Sequence, residues 1–135
     1  MLAEIIISAF MVISTTPAEA PDTSAAIAWN GPILTAEMGV NLNGPNGAET
    51  WYCLPMSDFF AFVYDLGFEG TPFVDERGVW NWQNADGTFV VVGADLGKYP
   101  RGTYVETSLG PGIVLDTGYF YYGENQFDIA TTWGF

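Results

Sequence analysis

From residue 31 onwards, the chain consists of short apolar runs separated by Gly and Pro. Runs of this length with turn-forming residues between them are typical of β-strands rather than of long helices. The sequence has no repeat of fixed period. We therefore predict one mainly β domain over residues 31–135, built as a small barrel with a single helix.

Residues 56–68 have the spacing of an amphipathic helix. Ser57 is a good N-cap, and Gly67 can supply the left-handed residue that follows a helix. The positions predicted to face the core are Phe59, Phe60, Val63 and Leu66. Asp65 is then expected on the exposed face of the helix.

A hairpin is predicted after the helix. Residues 79–82 alternate between apolar and polar, and residues 88–92 form an apolar run, so each is predicted to be a strand. The turn between them is predicted at residues 84–87. A last strand is predicted at residues 126–131.

A second strand pair is predicted between the hairpin and the last strand. It joins residues 103–107 to a buried strand at residues 113–115. The turn is predicted at residues 108–112, because Gly110, Pro111 and Gly112 are expected to interrupt a strand.

The first thirty residues differ in composition from the rest. Residues 5–13 are apolar but too short to span a bilayer, and a stretch of small residues and Pro follows. Ala18-Glu19-Ala20 resembles a signal-peptidase cleavage site, although the leading residues carry no positive charge. Residues 1–30 are thus predicted to be a signal-like segment and a flexible linker. The alternative is an N-terminal strand or helix that packs on the domain.

The charge balance narrows the choice of partners. The chain has 135 residues, 16 acids and 3 bases, for a net charge of −13. Nucleic acids and anionic membrane surfaces are poor partners, because binding them requires clustered Lys and Arg. The three bases, Arg77, Lys98 and Arg101, form no such cluster in the sequence.

The residue types that the chain lacks exclude several kinds of catalytic and metal site. Without His, the chain has no Ser-His-Asp triad, no Cys-His pair and no His-ligated zinc. Cys53, the single cysteine, is expected to be a small buried apolar residue. Carboxylate chemistry remains, and we expect neither a cofactor nor a metal ion.

Three acids are set beside apolar strand residues. Asp95 follows an apolar run, Asp116 ends the predicted strand at 113–115, and Asp128 lies within the last strand. A carboxylate in such a position costs free energy unless something compensates it. Any one of these acids could simply be a turn or cap residue whose carboxylate is hydrogen-bonded to backbone amides. Three such acids within 34 residues favour a shared function.

These acids occur in motifs that resemble those of a known family. Residues 95–103 resemble its D-x(n)-P-x-G-T segment, residues 114–118 its V-x-D-T-G segment, and residues 127–129 its closing apolar-D-apolar segment. The family is the 3D (three-aspartate) domain, which is shared with MltA-type lytic transglycosylases. The similarity covers residues 88–133, and residues 44–56 also resemble a subgroup of the family.

The resemblance implies a six-stranded double-psi β-barrel that cleaves the bond between N-acetylmuramic acid and N-acetylglucosamine without water. Asp128 is then the acid/base, Asp116 its neighbour in the site, and Asp95 a residue that orders the site. Five further residues are predicted to bind substrate, namely Glu49, Thr103, Thr117, Gly118 and Tyr119. The implied partner is the peptidoglycan glycan strand. The resemblance also implies a bacterial or phage protein that is secreted, monomeric and without a membrane span.

Such a reaction needs one acid that is protonated near neutral pH. Burial beside Phe127 and the like charge of Asp116 would both favour the protonated form of Asp128. Aromatic residues suited to stacking on sugars occur in two groups, Trp80 and Trp82 in the hairpin and Tyr119, Phe120, Tyr121, Tyr122 and Trp133 near the end. Packing in the core is the alternative role for most of them.

Two other functions compete with this one. Residues 113–118 also resemble the D-T-G signature of aspartic proteases, which would require two chains to pair their Asp116 residues. A barrel that binds glycan, or that belongs to a phage or envelope assembly, would need no catalysis.

Overall fold

The computed structural model describes residues 29–53, 57–118 and 121–132. The predicted signal-like segment and most of the linker, at residues 1–28, lie outside these ranges. In the described part the chain is mainly β with one helix. The elements are β1 (Val40–Asn41), β2 (Glu49–Cys53), α1 (Ser57–Asp65), β3 (Thr71–Val74), β4 (Trp80–Asn84), β5 (Gly87–Ala94), β6 (Tyr104–Thr107), β7 (Gly110–Thr117) and β8 (Phe127–Thr131).

All of these strands belong to one sheet. Its main order is β1-β2-β8-β5-β4-β3, and β7 joins β5 on the other side and carries β6. Two of the pairings are parallel, β2 with β8 and β5 with β7. The pairing among the described strands does not close into a ring, so barrel closure stays a prediction.

The predicted hairpin is confirmed. Strands β4 and β5 pair antiparallel, and Asn84 faces Gly87 across a tight turn. The Asn84 side chain accepts a hydrogen bond from the backbone N–H of Asp86 at 2.8 Å, which is the local bond expected of Asn in a turn. The last predicted strand is also confirmed, as β8.

The predicted strand pair and its turn are found, as β6 and β7, but the turn predicted at residues 108–112 is too long. Thr107 pairs directly with Gly110, so the turn is only Ser108 and Leu109, and β7 begins at Gly110. Pro111 fits into the strand as the partner of Glu106. An ideal Cβ at Gly112 would lie 3.0 Å from the Val92 side chain, so this glycine permits close packing between strands rather than breaking one.

The helix α1 covers one face of the sheet. Phe60 and Val63 are buried, as predicted, and the Phe60 ring is stacked 5.9 Å from Trp82. Burying each of these apolar side chains stabilises the fold by roughly 1.5–3 kcal/mol. Asp65 is exposed as expected, but Leu66 is 47% exposed because the helix ends at Asp65 and the chain turns away through Gly67.

The strands at the centre of the sheet are buried on both faces. Alternate residues of β5 contribute to two apolar clusters, with Val90 and Val92 in one and Phe89 and Val91 in the other. Strands buried on both sides are typical of parallel pairing, as seen here between β5 and β7. Polar residues within these strands are therefore exceptional.

Cys53 is exposed, contrary to the expectation of a buried thiol. It is the last residue of β2, where the strand leaves the sheet. Among the described residues, no helix is sufficiently long and apolar to cross a lipid bilayer.

Candidate functional site

Three strands place Asp116 and Asp128 on either side of Gly93. In β5, Gly93 pairs with Asp116 of β7 and with Asp128 of β8. Residues paired directly across strands project from the same face of a sheet. An ideal Cβ at Gly93 would lie 3.6 Å from the Asp128 Cβ, which agrees with this arrangement. The glycine leaves the space between the two acids without a side chain.

A β-bulge brings Asp116 into this register. Val92 pairs with Val114, but the next residue, Gly93, pairs with Asp116, so Leu115 is the extra residue in β7. Bulges redirect side chains and often occur beside functional sites. Without this bulge, Leu115 would face Gly93 in place of the acid.

The pKa of the Asp116 carboxyl lies above its usual value. Burial raises the pKa of Asp116, the Thr117 amide and the Arg101 charge lower it, and the nearby Asp128 charge raises it again. The net direction is upward. The two acids are therefore close enough to influence each other electrostatically, as paired carboxylates do.

Asp128 is buried and firmly held. Its side chain is only 4% exposed. Its Oδ1 accepts hydrogen bonds from Thr50 Oγ1 and from Gln126 Nε2, each at 2.7 Å. The Thr50 contact follows from the parallel pairing of β2 with β8, in which Thr50 is the direct partner of Asp128. Two converging donors fix the orientation of the carboxyl group.

Asp128 also lines a groove of about 510 Å³. The groove wall is formed mainly by aromatic and polar residues, namely Gly39, Val40, Thr50, Trp51, Tyr52, Tyr121, Tyr122, Gln126 and Asp128. A concave, largely apolar surface with a few converging polar groups is the usual form of a small-ligand site. Asp116 is not among the lining residues and lies across Gly93 from Asp128.

The aromatic residues predicted to stack on sugars differ in their exposure. Tyr121 and Tyr122 line the groove and are 84% and 44% exposed. Trp82 is fully buried, and Trp80 packs against the same apolar cluster. Three further predicted residues, Tyr119, Phe120 and Trp133, lie outside the described residues.

The third predicted acid has a different environment. Asp95 Oδ1 accepts a hydrogen bond from the Gly97 amide at 2.9 Å, and its carbonyl oxygen accepts two more from Lys98 and Tyr99. Asp95 thus caps the turn that follows β5. In the part of the chain that the structure describes, no three acids or cysteines gather closely enough to hold a metal ion.

The predicted substrate-binding residues near β7 have local structural contacts. Thr117 is exposed, and its amide donates to Asp116 Oδ1 at 2.8 Å. The Gly118 amide donates to the Ala94 carbonyl at 2.8 Å, which joins the end of β7 to β5. The Thr103 hydroxyl donates to the Pro100 carbonyl. Tyr119 is outside the described ranges.

Glu49 is buried in a separate cluster. It is 1% exposed, and its carboxylate accepts hydrogen bonds from the Ser108 amide at 2.8 Å and from the Ser108 hydroxyl at 2.5 Å. The Ser108 hydroxyl in turn accepts one from the Leu34 amide. Since neighbouring residues of a strand face opposite sides, Glu49 points away from the Thr50–Asp128 contact. It ties the β6–β7 turn to β2.

Replacing Glu49 by glutamine is expected to destabilise the protein more at low pH than at neutral pH. Burial raises the pKa of Glu49, and its Ser108 bonds lower it by less. A raised pKa gives a stabilising contribution that is complete below the unfolded pKa and is lost as pH rises through the folded one. Urea unfolding at about pH 4 and about pH 7 measures the difference.

The exposed Glu69 supplies a matched control for this experiment. Glu69→Gln should change the free energy of unfolding by at most about 0.5 kcal/mol at either pH. An equal effect of Glu49→Gln at both pH values would contradict the prediction.

Sequence reasoning did not identify Thr50 and Gln126 as site residues. Both donate to Asp128 Oδ1, but Thr50 is far from Asp128 in the chain. Gln126 could have been found from the sequence, because it precedes Asp128 by two residues and residues two apart in an extended chain lie on the same face. A parallel pairing between β2 and β8 was needed to find Thr50.

Comparison with known proteins gives no relative. No family model matches the chain. Searches of the curated proteins and of the solved structures also return no match.

Proposed function

We propose that this protein is a peptidoglycan lytic transglycosylase that uses Asp128 as its acid/base. The observation that carries the proposal is a buried carboxyl in the wall of an aromatic groove, with a second acid across a glycine. The resemblance to the 3D domain, carried by three motifs in order, supports the same assignment.

The proposed reaction needs one proton donor and no water. Neutral Asp128 gives its proton to the glycosidic oxygen as the bond to C1 of N-acetylmuramic acid breaks. The carboxylate then takes a proton from the 6-hydroxyl of the same sugar as O6 bonds to C1. The product is a 1,6-anhydro sugar, and Asp128 returns to its starting state. Ordinary glycosidases use two carboxylates for acid and nucleophile or base.

The surroundings of Asp128 suit this role. Thr50 and Gln126 orient its carboxyl, and the Asp116 carboxyl is close enough to interact with it electrostatically. In the proposed complex, Tyr121 and Tyr122 stack on pyranose faces along the groove. Thr103, Thr117, Gly118 and Tyr119 remain proposed substrate contacts or supports of the site.

The fold and location proposed for this activity follow the same resemblance. We infer a six-stranded double-psi β-barrel, supported by the two parallel pairings, β2 with β8 and β5 with β7. Its substrate would place the protein outside the cell or in the cell envelope.

The direct test is mass spectrometry of purified peptidoglycan after incubation with the full chain. We expect soluble muropeptides that end in 1,6-anhydro-N-acetylmuramic acid. Reducing ends in place of anhydro ends would identify a hydrolase and contradict the mechanism. No product, together with retention of the protein on peptidoglycan, would instead favour a non-catalytic glycan-binding protein.

A further inference from the structure

Gln126 connects two parts of the groove through one buried amide group. The residue is 3% exposed. Its Oε1 accepts a hydrogen bond from the backbone N–H of Tyr122 at 2.7 Å, and its Nε2 donates to Asp128 Oδ1 at the same distance. A single side chain thus joins the exposed tyrosine segment to the buried acid.

The chemical identity of these partners determines how the amide is oriented. A backbone N–H can only donate, so the Gln126 atom facing Tyr122 must be the oxygen. The amide nitrogen therefore faces Asp128, and because an NH₂ group can only donate, Asp128 Oδ1 must accept. The Gln126 amide therefore holds Oδ1 of Asp128 as a hydrogen-bond acceptor and fixes one side of this carboxyl.

We propose that Gln126 is a positioning residue that holds the Asp128 carboxyl in the orientation in which it gives and takes the proton. This inference rests on the proposed function. In the first half of the reaction the O–H bond of the Asp128 carboxyl breaks as the glycosidic oxygen gains the proton. In the second half the Asp128 carboxylate gains the proton of the sugar 6-hydroxyl as O6 bonds to C1. The Gln126 amide stays bonded to Oδ1 throughout.

The same amide couples the acid to substrate contact. Tyr121 and Tyr122 line the groove, and their rings are in edge contact with centroids 5.1 Å apart. A glycan stacked on this pair would steady the Tyr122 backbone and hence the Gln126 oxygen bonded to it. Gln126 therefore links binding in the groove to the orientation of the carboxyl.

Two substitutions of Gln126 test its contact with Asp128 and its contact with Tyr122 separately. Gln126→Glu keeps an oxygen for the Tyr122 amide but places a carboxylate oxygen against Asp128 Oδ1. With soluble glycan strands as substrate, we expect kcat to fall roughly 10- to 100-fold, as for loss of a hydrogen bond to a charged group, with KM within about twofold of the wild type. Gln126→Leu removes both contacts and should also raise KM.

Gln83→Glu is the matched control, since Gln83 is exposed on β4 away from the groove. It should leave both kcat and KM within about twofold of the wild type, as most surface changes do. A higher KM with unchanged kcat in Gln126→Glu would overturn the positioning role.

Amide hydrogen exchange of the full chain tests the link without any activity. The Tyr122 N–H should exchange at least about tenfold more slowly than an unstructured amide, since it is bonded to a buried acceptor. This protection should persist in Gln126→Glu and disappear in Gln126→Leu. An unprotected Tyr122 amide in the wild type would overturn the inference. Absence of anhydro products from the wild type with the exchange pattern intact would reject the proposed function and the proton role of Asp128. The connection from Tyr122 through Gln126 to Asp128 would still stand.

Discussion

Asp128→Asn is expected to lower the release of anhydro-muropeptides by roughly 10²- to 10⁴-fold, the usual contribution of a general acid–base residue. An asparagine has nearly the same shape, and its amide oxygen can accept the hydrogen bonds that Thr50 and Gln126 now donate to Oδ1. The variant should therefore fold normally but hold no proton to transfer. Quantitative mass spectrometry of digested peptidoglycan measures the loss.

Asp65→Asn makes the same chemical change on the exposed face of α1 and should retain full activity. Urea unfolding of both variants would show whether loss of activity is separate from loss of stability. If Asp128→Asn kept more than about a tenth of the wild-type activity, the acid/base role would be excluded.

The same variant offers a test of the carboxyl pair itself. The Asp128 charge is one of the causes that raise the pKa of Asp116, so its removal should lower that pKa. Carbon-detected NMR of the Asp116 carboxyl across a pH titration measures the change in variant and wild type. An Asp116 pKa that does not move would mean that the two acids are not coupled.

Gly118→Ala is expected to reduce the free energy of unfolding by about 2–3 kcal/mol, as overpacking in a tight interior does. A Cβ at this position would lie 2.9 Å from the Ala94 nitrogen and 3.0 Å from the carbonyl carbon and oxygen of Gly93. These are backbone atoms of β5, so no side chain can move aside. The ends of β5 and β7 must separate, which weakens the 2.8 Å bond from the Gly118 amide to the Ala94 carbonyl.

This change should also reduce activity, because Asp116 is only two residues before Gly118 and moves with the end of β7. Gly97→Ala is the matched control, since its Cβ would meet only the Asp95 carboxylate oxygen at 3.2 Å in an exposed turn. Urea unfolding and product release are measured for both. Wild-type stability in Gly118→Ala would show that the two strands tolerate separation.

The elements that were predicted correctly depend on near neighbours in the chain. The prediction of the helix Ser57–Asp65 rests on the N-cap preference of serine, on the apolar spacing and on Gly67. The hairpin follows from its alternation and its Asn-containing turn. In each case the residues that determine the structure are within a few positions of one another, so the sequence carries the information locally.

The errors occurred where tertiary packing overrides local preference. Gly110 and Pro111 favour a turn, yet both extend β7, because Gly110 pairs with Thr107 and Pro111 with Glu106 of β6. Cys53 was expected inside because free cysteines are usually buried, but its position at the end of β2 leaves it exposed.

The sequence by itself predicted a mainly β fold with one helix, excluded His-based chemistry and placed three acids beside apolar strands. Only the tertiary structure decided which of these acids come together. Asp116 and Asp128 flank Gly93 because of a bulge and of pairings between strands distant in the chain, whereas Asp95 caps its own turn. Strand register is set by burial of whole faces across the sheet, and no short stretch of residues contains that information.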